Sequence, residues 1–122
     1  MKKELTKAEE QIMQAIWSVE KGFAKDILEA MNEPKPAYNT VLTVIRVLVK
    51  KGFVKYKTYG KSNEYYPTIS KEDYSNQQLK SLQKKYFNNS PKELLSFFVK
   101  ENELDIGQLD ELLRQIKEDK KS

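Results

Sequence analysis

A mostly α-helical chain with one small β-hairpin is what this sequence predicts, and three observations carry the prediction. Apolar residues recur at helical spacing through most of the 122 residues. The period falls to two just past Gly52, over a stretch rich in Val, Tyr and Phe. Capping residues, Gly and Pro punctuate the chain where these patterns change.

The elements follow in order. Thr6-Lys7-Ala8-Glu9 is a capping box, and Ile12, Met13, Ile16 and Trp17 continue it as a first helix of about three turns, which Lys21-Gly22 breaks. A second short helix presents Ile27, Leu28 and Met31 and ends in Asn32-Glu33-Pro34-Lys35-Pro36. The third runs from Tyr38 to Lys51, with Gly52 as a left-handed stop. Its apolar stripe is Val41, Val44, Ile45, Leu48 and Val49, and its other face carries Asn39, Leu42, Thr43, Arg46 and Lys50. The many β-branched residues lower its helix propensity, but the stripe and the glycine stop agree, and a strand of this length is unusual.

Residues 53–57 and 64–67 then read as two strands joined by a loop over 58–63, with Pro67 confined to a strand end or an edge. Three helices followed by a basic-tipped hairpin is the order of a winged helix-turn-helix, assigned here to residues 1–69.

Residues 70–122 read as a helical domain. A long helix over 70–87 presents Tyr74, Leu79, Leu82 and Tyr86, and Asn88-Asn89 interrupts it. Ser90-Pro91-Lys92-Glu93 supplies a capping box with Pro in the first turn, followed by Leu94, Leu95, Phe97, Phe98 and Val99. Asp105 with Gln108 opens the last helix, lined by Ile106, Leu109, Leu112, Leu113 and Ile116, before a lysine-rich tail. About fifty residues are too few to bury such faces alone. Mutual burial against a second copy is the expected use, which makes Leu79, Leu82, Tyr86, Leu94, Leu95, Phe98, Leu109, Leu112, Leu113 and Ile116 the expected homodimer contacts. Folding back onto the N-terminal domain is the alternative use of those faces.

Composition narrows the function. With no Cys and no His, the usual zinc and copper ligand sets are missing, as are the commonest general base and the strongest nucleophile. No glycine-rich phosphate loop or nucleophile elbow appears, so neither an enzyme nor a bound cofactor is expected. No apolar run is long enough to cross a bilayer, and no apolar stretch follows the charged start Met1-Lys2-Lys3-Glu4-Leu5. A cytoplasmic protein without a membrane partner is the expectation.

Charge is more informative. Residues 1–69 hold 12 Lys/Arg against 8 Asp/Glu, whereas residues 70–122 hold 10 of each. The whole excess of +4 therefore lies in the first part. Between residues 46 and 61 stand Arg46, Lys50, Lys51, Lys55, Lys57 and Lys61 with no acidic residue among them. Such a run is often only a solvated face, but beside an exposed helix flank it makes a candidate phosphate-binding surface.

A helix fits the major groove of double-stranded DNA, and residues near its start read base edges. The candidates are Tyr38, Asn39, Thr40, Leu42 and Thr43, with Arg46 one turn on and Lys50 beyond it. In the hairpin loop Lys57, Tyr59, Lys61 and Ser62 suit phosphates. Stacking of single-stranded bases on Trp17, Tyr65 or Tyr66 is disfavoured, because Trp17 lies in register with Ile12, Met13 and Ile16. Two other classes compete: a winged-helix protein-interaction module that binds no DNA, and a small metal-dependent hydrolase or nuclease, which needs carboxylates at the basic groove.

On these residues the chain resembles the BlaI/MecI penicillinase-repressor family along nearly its full length. The resemblance rests on Thr6-Lys7-Ala8-Glu9 with Ile16-Trp17, on Thr40-Val41-Leu42-Thr43-Val44-Ile45 with Leu48, and on Lys50-Lys51-Gly52-Phe53. Tyr65-Tyr66-Pro67, Phe98-Val99, Leu104 and the leucine-rich last helix complete it. It implies a winged-helix head, a dimerisation tail, repression at a palindromic operator, and DNA contact by Thr40 and Thr43. For the β-lactam-responsive members of that family it also implies an upstream sensor protease and cleavage of an Asn-Phe bond in the tail. Here Phe97-Phe98 stands at that place, Val47 stands where the family often has Arg, and no cysteine cluster of the copper-responsive kind is present.

Overall fold

The computed structural model describes residues 4–121. The charged start at residues 1–3 and the final residue of the lysine-rich tail lie outside it. The chain divides into two compact units, residues 1–75 and 76–122. That division falls inside a helix, past the 69/70 boundary read from the sequence.

The first unit contains α1 (Lys7–Val19), β1 (Gly22–Phe23), α2 (Ala24–Glu29), α3 (Tyr38–Lys51), β2 (Val54–Tyr59), β3 (Ser62–Pro67) and the first turn of α4 (Lys71–Tyr86). The expected box opens α1: the Thr6 hydroxyl accepts from the Glu9 N–H at 3.2 Å, and the Thr6 N–H donates to Glu9 Oε1 at 2.9 Å. The helix ends at Val19 because Glu20 itself turns to φ 69. Gly22, expected as the breaker, instead lies in β1. The α3 boundaries match the sequence reading, and Gly52 caps the helix at φ 89.

The sheet corrects the sequence reading in two ways. It has three strands in the order β1-β3-β2, because Gly22-Phe23 pairs with Glu64-Tyr65 on the far side of β3 from β2. The expected loop over 58–63 is instead strand: β2 and β3 pair all the way to Tyr59 opposite Ser62. Only Gly60-Lys61 turns, with Gly60 at φ 61, the first-position pattern of a type II′ hairpin. Lys57, Tyr59 and Ser62 are therefore strand residues.

Ile12, Met13, Ile16, Ile27, Val41, Ile45, Leu48, Val54 and Tyr65 make a continuous buried core from all three helices and the sheet. Each such aliphatic side chain contributes about 1.5–3 kcal/mol on burial. Tyr74, at the start of α4, is buried in the same unit: its ring packs on Trp17 and Phe53, and its hydroxyl donates to Glu10 at 3.1 Å. Trp17 is half-buried and donates its indole N–H to the Ile69 carbonyl at 2.9 Å, so it is a packing residue. Three helices backed by a three-stranded sheet whose last two strands form a hairpin is a winged helix.

The second unit contains the rest of α4, then α5 (Pro91–Glu101) and α6 (Ile106–Lys121). The α6 box is reciprocal: Gln108 N–H donates to Asp105 Oδ1 at 2.8 Å, and Asp105 N–H donates to Gln108 Oε1 at 2.9 Å. At α5 only half of the expected box forms. The Ser90 hydroxyl accepts from the Glu93 N–H at 3.1 Å, but the Glu93 carboxylate accepts instead from the Asn88 side-chain amide at 3.2 Å.

Candidate nucleic-acid interface

The outward flank of α3 is free of the core. Tyr38, Asn39, Thr40, Thr43, Arg46 and Lys50 are all exposed, while Val41, Ile45 and Leu48 point the other way into the interior. Leu42 corrects the sequence reading: it is half-buried and packed against the core, on the edge of the flank. Val47 is exposed beside Arg46. The Thr43 hydroxyl already donates to the Asn39 carbonyl at 2.9 Å, so in this state it offers an outside partner its methyl group and oxygen lone pairs.

Flank and hairpin meet. Arg46 and Leu42 of α3 and Lys61 and Ser62 at the hairpin tip line one cleft of about 460 Å³, together with Lys25 and Asp26 at the start of α2. The cleft brings Arg46 and Lys61, fifteen positions apart in the chain, onto one surface. On β2, Lys55, Lys57 and Tyr59 alternate with Val54, Tyr56 and Thr58 and so share the face turned from Val54.

The acid-free run of the sequence does not remain an acid-free surface. Lys51 is withdrawn altogether: its ammonium donates to Glu9 Oε1 at 2.7 Å and to the Glu4 carbonyl at 3.3 Å. Burial by itself raises the Glu9 carboxyl, but the Lys51 ammonium and the Thr6 N–H outweigh it and hold the group below the usual carboxylate range. Asp26 joins Arg46 and Lys61 in the cleft while accepting from the Phe23 N–H at 2.9 Å. Glu64 stands directly opposite Lys57 across the hairpin. Arg46, Lys50, Lys55, Lys57 and Lys61 remain as exposed cations with no ion pair among the described residues.

Lys25, Asp26 and Asn63 were missed in the sequence, because only the fold carries the start of α2 and the start of β3 to this cleft. Lys55 belongs to the basic run and shares the exposed face of β2 with Lys57.

In the second unit the residues expected to contact a second copy are open. Leu79, Leu82, Tyr86, Leu95, Phe98, Leu112, Leu113 and Ile116 are exposed, and Leu94 and Leu109 are half-buried. Phe97 and Phe98 lie within α5, with the Phe97 ring 5.2 Å from that of Phe87. No helix among the described residues is long and apolar enough to cross a membrane.

Known proteins resemble this chain in sequence and fold. Over 110 residues the chain is 28% identical to the methicillin resistance regulatory protein MecI of Staphylococcus aureus (strain N315), spanning 89% of both chains. It is 27% identical over the same length to that of Mammaliicoccus sciuri. The solution structure of the DNA-binding domain of the repressor BlaI superposes with a TM-score of 0.51 at 26% identity, covering 61% of this chain and 94% of that one. The profile of the penicillinase repressor family matches residues 5–118. With that match over nearly its whole length, the chain belongs to the penicillinase repressor family.

Proposed function

We propose that the protein is a transcriptional repressor that binds double-stranded DNA as a homodimer on a palindromic operator. The observation that carries the reading is the exposed α3 flank, whose Arg46 lines one cleft with Lys61 of the hairpin in a winged-helix unit. In this reading α3 enters the major groove, where Asn39, Thr40 and Thr43 face base edges and Tyr38 and Leu42 border them. Arg46 reaches a guanine edge or a phosphate. Lys50, Lys57, Lys61 and Ser62 take backbone phosphates, which fix register without reading sequence.

Dimerisation is supported by the second unit, whose three helices keep their apolar faces open in the single chain. Two heads on a two-fold axis match half-sites about one helical turn, roughly 34 Å, apart. The sensor protease fits this chain poorly, since Phe97-Phe98 replaces the Asn-Phe bond and sits inside a helix.

Salt-dependent binding to DNA tests the reading. If each dimer neutralises about six to ten phosphates, affinity for a duplex from upstream of the protein's own gene falls about 10³–10⁵-fold between about 50 and 200 mM salt. Salt-insensitive binding, or no binding to any duplex, contradicts it.

A further inference from the structure

Tyr59 has a place in the hairpin that the general reading of a phosphate contact does not explain. It stands two residues from Lys57 on the same face of β2. Its ring meets Phe23 of β1 edge-on at 6.2 Å, and the Lys57 ammonium lies 5.3 Å from its centroid, within cation–π range. Glu64 is directly opposite both Lys57 and Phe23, so all four side chains share one face of the sheet.

That row poses a choice for Lys57. A carboxylate directly across an antiparallel pair is its natural partner. Paired with Glu64, its charge would be neutralised before any phosphate arrived. Among the described residues no ion pair joins Lys57 to Glu64, and the ammonium lies over the Tyr59 ring instead. The ring attracts the cation without cancelling its charge. Phe23 in turn fixes the ring from the next strand but one, across β3.

We infer that Tyr59 is a positioning residue whose ring, seated on Phe23, diverts Lys57 from Glu64 and keeps that lysine charge available to a DNA phosphate. The inference rests on the DNA-binding reading above. It assigns the work to the aromatic face and none to the phenol hydroxyl. Tyr59→Phe therefore keeps the Lys57 ammonium over the ring, read as an upfield shift of the Lys57 ε-methylene protons equal to that of the wild type.

A double-mutant cycle decides the matter. Wild type, Tyr59→Leu, Glu64→Gln and the double variant are titrated by fluorescence anisotropy against a labelled mixed-sequence duplex over a salt series. Circular dichroism melts check that each variant is folded, which is expected because Tyr59 is 48% exposed. Tyr59→Leu weakens binding about two- to fivefold per head and lowers the salt slope by about one ion. In the Glu64→Gln background the same substitution has no effect, because no carboxylate is left to capture Lys57. An equal loss in both backgrounds, or no loss in either, overturns the inference. So does a loss in Tyr59→Phe as large as that in Tyr59→Leu.

A measurement without DNA separates this from the parent reading. In the wild type the Lys57 ε-methylene protons resonate upfield of their position in Tyr59→Leu, and in that variant they gain cross-peaks to the Glu64 side chain. If the wild-type protein bound no duplex, the repressor reading would fail while these spectra still decided the Lys57 question. Unshifted Lys57 protons in the wild type overturn the inference directly.

Discussion

The two units of this protein handle apolar surface in opposite ways. In residues 1–75, eleven side chains from α1, α2, α3 and the sheet form one buried cluster, and Tyr74 extends it. In residues 76–120 no side chain is buried, although leucines, isoleucines and phenylalanines recur at helical spacing; Ile106 is 79% exposed and Tyr86 72%. The first unit has a core of its own, and its exposed residues are mostly polar. The second has apolar faces and no interior. Physically, one unit is complete as a single chain, whereas the other has a driving force left over that only further burial can use.

Substitutions break this comparison in order of size. Ile16→Ala empties a fully buried position in the first unit and is expected to cost about 2–5 kcal/mol in urea unfolding. The equivalent change at exposed Ile106 is expected to stay within about 0.5 kcal/mol for the melting of the first unit. A similar loss at both positions would erase the contrast.

Next comes Leu112→Glu with Leu113→Glu, which places two carboxylates on the open α6 face. Sedimentation is expected to show a monomer, with the first unit melting as in the wild type and affinity for a two-half-site duplex reduced to that for a single half-site. A variant that remained dimeric would show that the copies meet elsewhere.

The smallest effect concerns the Glu9–Lys51 pair, which ties the start of α1 to the end of α3. Glu9→Gln leaves the Lys51 ammonium without its counter-charge and is expected to cost about 1–3 kcal/mol at neutral pH. Because the Glu9 carboxyl is held below its usual value of 4.5 in the folded protein, its contribution is complete above that value. It is lost as pH falls through the lower folded value. Melting temperature against pH is thus expected to show a shallower acid limb in Glu9→Gln than in the wild type, and parallel limbs would remove the pair from the account of stability.

Most of the fold was legible because its signals are local. The Thr6 and Asp105 boxes, the α3 stripe and its Gly52 stop depend on residues within a few positions of each other. What was not legible depends on pairing across the chain. Gly22-Phe23 is a strand only because Glu64-Tyr65 lies beside it, and the hairpin runs to Tyr59 because a two-residue turn at Gly60-Lys61 suffices.

The interface shows the same division. Which α3 residues face outward followed from helical period, except at Leu42, where the core reaches round to the flank. The electrostatics did not follow. Glu9, Asp26 and Glu64 lie outside the basic run in the sequence, yet folding brings each of them to it. A run of one sign is a statement about neighbours in the chain, and the field at a surface is set by neighbours in space.

The contrast between the units is tested most directly by following backbone amide resonances of the full-length protein as duplex DNA is added at low salt. The largest shifts are expected in residues 38–50 and 55–62, with residues 90–120 little changed. Shifts concentrated in α5 and α6, with α3 and the hairpin unmoved, would contradict the assignment of DNA binding to the winged-helix unit.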